Sequence, residues 1–511
     1  MRTFLTPLRP LRRALRTAAV ASSMLVVIGS GAAMAQRSSG WTQFQGGPGK
    51  TGATATGPEP GYGQAWRTPF APGGPGDRYG LSAPVIAGGV AVAVGPEQVI
   101  GVDVASGEEL FEVARDLGPS VPAAVASSGP RTAILYTEGW GAGPPSPTPT
   151  ADASPSGSPS VPAGGGTDAF DSHLAAFDLE TQEALWPPVQ LDGVSRTGVT
   201  VDASTAFVGV NGGTVTAVDV AEGSVIWQQE LGGTLLTPIA AADGLVLVGL
   251  QGDRDTQPVI VALDAATGQE RWRHEPTDPA AVVSAVSVSD GRVFAIFTGL
   301  SETSVFTVDL TDGSQEWSRR LNATFDVVAP PVVGEGTVLV TDLIGHTRAF
   351  DPETGEQRWD FAQNAPAFRS VPLLVGAKLL VPTLEGELAA IDTRTGELVW
   401  RGLTDGVPVR SLAVAGEVLV AVRGSTGSGL EGIEHDPDVA LVRQSSPTTL
   451  DPGRMLAAIA IATVPVLAVV LLFGRWLAPR MGPAFTDDEG HEDDAADDQA
   501  TDPWEDEDPA L

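Results

Sequence analysis

The sequence predicts an all-β fold: an eight-bladed β-propeller of four-stranded antiparallel blades, with seven blades as the alternative count and one C-terminal transmembrane helix outside the ring. Three observations carry that expectation. A ten-residue phrase returns seven times along the chain. Strand-like segments stand on both sides of each copy. The chain before the first copy and after the last supplies the pieces of one more blade.

The phrase reads VDVASGEELF (102–111), FDLETQEALW (177–186), VDVAEGSVIW (218–227), LDAATGQERW (263–272), VDLTDGSQEW (308–317), FDPETGEQRW (350–359) and IDTRTGELVW (391–400). Its pattern is apolar-Asp-x-x-x-Gly-x-x-x-Trp. The aspartates Asp103, Asp178, Asp219, Asp264, Asp309, Asp351 and Asp392 are spaced by 75, 41, 45, 45, 42 and 41 residues. A step of about 43 residues belongs to solenoids and propellers. The aromatic positions are Phe111, Trp186, Trp227, Trp272, Trp317, Trp359 and Trp400. Two copies depart from the pattern: Phe111 replaces the first tryptophan, and Gln182 replaces a glycine.

Each blade follows from local chemistry. Thr214-Val-Thr-Ala-Val218 before an aspartate and Ser224-Val-Ile-Trp227 after a glycine alternate with period two, as strands do. Between them, Asp accepts a bond from the backbone two residues on, and Gly takes the positive φ that closes a short hairpin loop. Two more strands precede the hairpin, as in Thr237-Pro-Ile-Ala-Ala with Leu245-Val-Leu-Val. Four short strands per repeat make a propeller blade. The tryptophan falls on the outer strand, where its expected role is packing between neighbouring blades.

Seven phrases give seven outer strands. Tyr62-Gly-Gln-Ala-Trp66 reads as an eighth without a preceding hairpin, and Ser411 to Arg423 as two inner strands without an outer one. The strand around Trp66 is therefore expected to close the last blade beside 411–435. The 75-residue step is a blade plus an insertion, 141–167, rich in Pro, Ser and Gly and expected to be disordered.

The phrase resembles the repeat of the pyrroloquinoline-quinone (PQQ)-type β-propellers, which include quinoprotein alcohol dehydrogenases and non-catalytic relatives such as the BamB-like envelope lipoproteins. Trp41-Thr-Gln-Phe-Gln-Gly-Gly-Pro-Gly-Lys-Thr-Gly52 looks like the W-x-x-F-x-G-x-x-x-x-T-G lead-in of such propellers. The resemblance covers about 41–435. It implies two alternatives. A dehydrogenase would hold PQQ and calcium in the central channel, with an aspartate base, a tryptophan floor and, in the alcohol dehydrogenases, a disulfide of adjacent cysteines. A BamB-like chain would be an assembly scaffold.

The ends read as targeting and membrane segments. Arg2, Arg9, Arg12, Arg13 and Arg16 precede an apolar run and the Ala-Met-Ala before Gln36, the order of a secretory signal peptide over 1–35 cleaved between Ala35 and Gln36. Arg12-Arg13 leaves Sec and twin-arginine export open. A lead-in follows at 36–61, the propeller at 62–435 and a juxtamembrane linker at 436–454. Met455 to Phe473 carries no charge and is long enough for a membrane helix, drawn at 455–477. Arg475 and Arg480 beyond it agree with the positive-inside rule. The segment 481–511 holds 13 acids and no Lys or Arg, the composition of a disordered cytoplasmic tail.

Composition weighs on chemistry. There is no cysteine, which excludes disulfides, thiolate zinc sites and lipid attachment to an N-terminal cysteine. The net charge of −33 disfavours nucleic acid. Gly427-Ser-Gly-Leu-Glu-Gly432 matches G-x-G-x-x-G without a βαβ unit and reads as a blade loop. His173, His274, His346, His435 and His491 show no ligand spacing, and Asp253 with Asp255 read as loop charges. No catalytic, cofactor or metal residue is therefore expected. The expectation is a non-catalytic, membrane-anchored, extracytoplasmic propeller that binds an envelope protein partner and sits in the plasma membrane through its own helix. The alternative is an enzyme of the PQQ and calcium type.

Overall fold

The computed structural model describes residues 41–439 except 71–79, 140–170, 253–256, 277–281, 299–302, 322–329, 343–344, 363–370, 384–385, 404–406 and 424–428. The signal peptide with its Ala35–Gln36 cleavage, the insertion, the membrane stretch, the acidic tail, His491, Asp253 and Asp255 lie outside these residues. Among the described residues no helix is long and apolar enough to cross a membrane.

Eight antiparallel blades follow one another. Blade 1 spans 85–114, blade 2 124–190, blade 3 199–230, blade 4 234–274, blade 5 282–321, blade 6 332–362, blade 7 373–403 and blade 8 409–435. In blades 1 to 7 the first strand is innermost and the last is outermost. Blade 3 is typical, with Val199–Asp202, Thr205–Gly209, Thr214–Asp219 and Val225–Glu230 paired in that order. Blade 8 takes three strands from the C-terminal side and its outer strand, Tyr62–Pro69, from the N-terminal side. That strand pairs with Gly429–His435, Trp66 opposite Gly432. The first strand of blade 8 also lies beside that of blade 1, so both chain ends close the ring.

Three sequence expectations change in detail. The Thr214–Val218 segment alternates in sequence, yet all five residues are buried. Middle strands lie between two neighbouring blades and bury both faces, so Thr214 and Thr216 are covered too. Alternation survives on outer strands such as Glu109–Ala114. Second, Gly429 to Gly432 of the glycine motif belong to a strand rather than a loop; the small Gly432 leaves room for the Trp66 ring across the pair. Third, the outer strand of blade 2 shrinks to Val189–Gln190, because Pro187 and Pro188 interrupt it.

The core follows the same geometry. Hydrophobic clusters fill the seams between consecutive blades. One joins blades 1 and 2 through Phe111 and Phe177, another joins blades 4 and 5, and the largest runs from blade 7 through blade 8 to blade 1. Stability thus depends on every seam and on closure.

Candidate functional site

The seven phrases build one recurring joint. In each turn the aspartate Oδ1 accepts backbone N–H groups; Asp219 takes those of Ala221 and Glu222, both at 2.9 Å. Asp103, Asp178, Asp264, Asp309, Asp351 and Asp392 do the same in their turns. The phrase glycines take positive φ, +67° at Gly223, and donate back to the aspartate carbonyl. Arg271 beside Asp264 and Arg358 beside Asp351 hold those carboxyls down to about 2.

The tryptophan serves the next blade. Trp272 Nε1 donates to Leu310 O at 2.9 Å in the adjoining blade, and its ring lies on Gly313. Trp186, Trp227, Trp317 and Trp359 dock in the same way on Gly223, Gly268, Gly355 and Gly396. Trp66 of blade 8 docks on Gly107 of blade 1, donating to Val104 O at 2.7 Å. The two departures meet at one joint. Phe111 of blade 1 faces the blade 2 turn, where Gln182 stands at φ +58°. The phenyl ring folds over Gly101 and meets Phe177 edge-on at 5.7 Å. Trp400 faces blade 8, which has no such turn. Its ring meets Tyr62 edge-on at 5.0 Å, and its Nε1 is buried without a partner.

The closing blade holds a buried ion pair, Arg423 with Glu431, joined from the rim by the exposed Arg67. Glu431 lies between Arg67 of the N-terminal strand at 2.7 Å and Arg423 at 2.8 Å. Arg423 and Glu431 are both almost fully buried.

The lead-in forms the hub. Going round the ring, Trp41 O accepts from Ile86 of blade 1, Thr42 O from Val125 of blade 2, and Pro48 O from Ala241 of blade 4. Gly49 O, Thr51 O and Gly52 O then accept from Val288, Val333 and Leu374 of blades 5 to 7. At blade 3 the Gln43 side-chain amide replaces the backbone: it donates to Val201 O at 2.6 Å and accepts from Val201 N at 3.0 Å. Ala53–Thr54 runs parallel to the first strand of blade 7, and Gly57 closes against Val375 and Val414 of blades 7 and 8. One short segment thus touches the inner strand of all eight blades in order.

Inside that ring lies Lys50, 1% exposed, with Nζ 3.3 Å from Gln43 Oε1. Burial pulls its ammonium down to about 7. Gln45 is also buried, and both polar atoms of its amide lack a partner. The sequence reading missed these residues and the Arg423–Glu431 pair. One signal was present: the whole chain has two lysines, Lys50 and Lys378, and otherwise uses arginine.

A family profile described as outer membrane protein assembly factor BamB matches residues 171–345 and 343–438, more than half of the chain. The chain belongs to this family. A BamB of Burkholderia pseudomallei is 31% identical over 175 residues, 32% of this chain and 41% of the relative. The chain thus spans less than half the length of that curated relative. The crystal structure of BamB from Moraxella catarrhalis superposes with a TM-score of 0.52 at 18% identity, covering 73% of this chain and 99% of that one. The quinohemoprotein alcohol dehydrogenase ADHIIG of Pseudomonas putida HK5 gives 0.56 at 12% identity, covering 81% and 82%. At such identities these likenesses show the fold alone.

Among the described residues no group of three or more His, Asp or Glu side chains stands together as a metal-ligand set. The hub holds the Lys50 amine, the Gln45 amide and a Gln43 amide already bonded to Val201.

Proposed function

We propose that this BamB-family chain is a non-catalytic propeller, anchored in the plasma membrane and facing outward, that holds an envelope protein partner. One observation carries the reading: the repeated polar and aromatic residues serve turns and blade joints, and the hub is crossed by the chain's own lead-in. The relatives are outer membrane protein assembly factors by name, which supports a scaffold role. The uncharged 455–473 stretch supports an anchor in the plasma membrane rather than an outer-membrane location. Fold likeness to a quinohemoprotein dehydrogenase favours the second reading, an enzyme using PQQ and calcium.

The assay that separates them gives the purified full-length chain PQQ, calcium, alcohols or sugars and an artificial electron acceptor. The proposal expects no acceptor reduction and no PQQ-dependent rise in melting temperature; a ligand that binds the folded state alone must raise it. Turnover would establish the enzyme reading. Topology is tested separately by protease added to intact spheroplasts, which should digest the propeller and spare the tail. A protected propeller would overturn the orientation.

A further inference from the structure

Open sheet edges invite pairing with another chain, and proteins blunt them with charge, brevity or proline. Seven of the eight outer strands are blunted in these ways. Glu109 and Glu112 guard blade 1, and blade 2 has only two outer residues after Pro187-Pro188. Arg271 and Arg273 guard blade 4, Glu316, Arg319 and Arg320 blade 5, Arg358 and Asp360 blade 6, Arg401 blade 7 and Arg67 blade 8.

Blade 3 departs from this rule. Its outer strand, Val225–Glu230, reads Val-Ile-Trp-Gln-Gln-Glu and carries no charge before its last residue. It lies at the end of its sheet. Val225 is 51% and Ile226 46% exposed, whereas other β-branched and aliphatic strand residues are mostly covered. Blade 3 itself, 199–230, holds four acids, Asp202, Asp219, Glu222 and Glu230, and no Lys or Arg.

We infer that the outer strand of blade 3 is where a basic, extended polypeptide segment with alternating aliphatic residues adds as a further strand. Main-chain bonds supply the attachment, Val225 and Ile226 an apolar contact, and the acidic surface selects the charge. The insertion 141–167 and the tail 481–511 hold no Lys or Arg, so neither has the charge of the occupant, a segment of another protein. The inference rests on the interaction-module reading and makes it specific.

The test uses the full-length chain in detergent and three synthetic nine-residue peptides: alternating valine and lysine, the same with glutamate for lysine, and a lysine version with proline at every second valine. The valine–lysine peptide should bind and slow amide exchange across 225–231. The glutamate and proline peptides should bind at least tenfold more weakly. Ile226→Lys should weaken the first peptide at least tenfold, while Leu110→Lys, equally exposed on blade 1, should leave it unchanged. Both positions are exposed, and unchanged melting curves confirm that the variants fold. No binding, equal binding of the proline peptide, or protection elsewhere would overturn the edge site. None of these results bears on PQQ turnover, which tests the underlying reading.

Discussion

Phe111 holds the ring position of blade 1 and Gln182 the turn position of blade 2, the two repeat positions that meet at the other joints. In the other joints a Cβ added to the turn glycine would lie 2.5 to 2.7 Å from the tryptophan ring. A turn residue with a side chain therefore forbids tryptophan across the joint. Phe111→Trp alone should destabilise by about 1–3 kcal/mol through overpacking. Adding Gln182→Gly, which supplies the bare positive-φ position, should recover most of that loss. A double-mutant cycle read by denaturant melts checks this: coupling of about 1 kcal/mol or more is expected, and additivity would mean that the two positions share no socket. Lys50 gives a second prediction. Its folded value, about 7, lies below the ordinary 10.5, so between these pH values the unfolded chain binds a proton that the folded chain lacks. Stability from this group therefore rises with pH across that window, by roughly 1.4 kcal/mol per unit, and is level below it. Lys50→Met should melt higher than the parent at pH 7, and the gap should shrink towards pH 10.5. The aspartate and glycine roles were legible in the sequence because they are local turn chemistry. The acceptor of each tryptophan was not, since it lies in the next blade. Lys50 gave no periodic signal, because its segment bonds to strands far away in the chain.

At the scale of elements, the closing blade concentrates the risk. Its outer strand is held to the rest by the ladder from Tyr62–His435 to Pro69–Gly429 and by Glu431 between Arg67 and Arg423. Glu431 is the buried carboxylate facing the buried Arg423, and removing one partner of a buried ion pair costs about 3–5 kcal/mol. Glu431→Ala should therefore lower the denaturant midpoint strongly and expose the N-terminal strand to protease first. Early cleavage within 62–69 is the expected signature, and uniform cleavage across all blades would contradict it. Deleting 141–167 should change the midpoint little. That segment leaves one blade between two paired strands, Arg131–Glu138 and His173–Asp178, whose register is set without it. The Trp66 strand was readable because it copies the outer-strand end of the phrase. The third strand of blade 8 was harder to see, because Gly429, Gly432 and the missing Asp–Gly hairpin hide the pattern.

At the scale of the whole molecule, the ring is closed twice, at the rim by the Tyr62–Pro69 strand and at the hub by the lead-in. This fixes eight blades as one frame. The blade count followed from repeat arithmetic and was legible. The hub was not, because nothing periodic marks a segment that crosses every blade once. We propose above that this frame holds a protein rather than a quinone. The direct measurement is to cross-link cells, purify the full-length chain from their membranes, and analyse by mass spectrometry both the attached proteins and the small-molecule extract. An envelope protein in near-stoichiometric amount, cross-linked to the propeller, with no quinone is the expected result; stoichiometric PQQ without a protein partner would contradict the scaffold role.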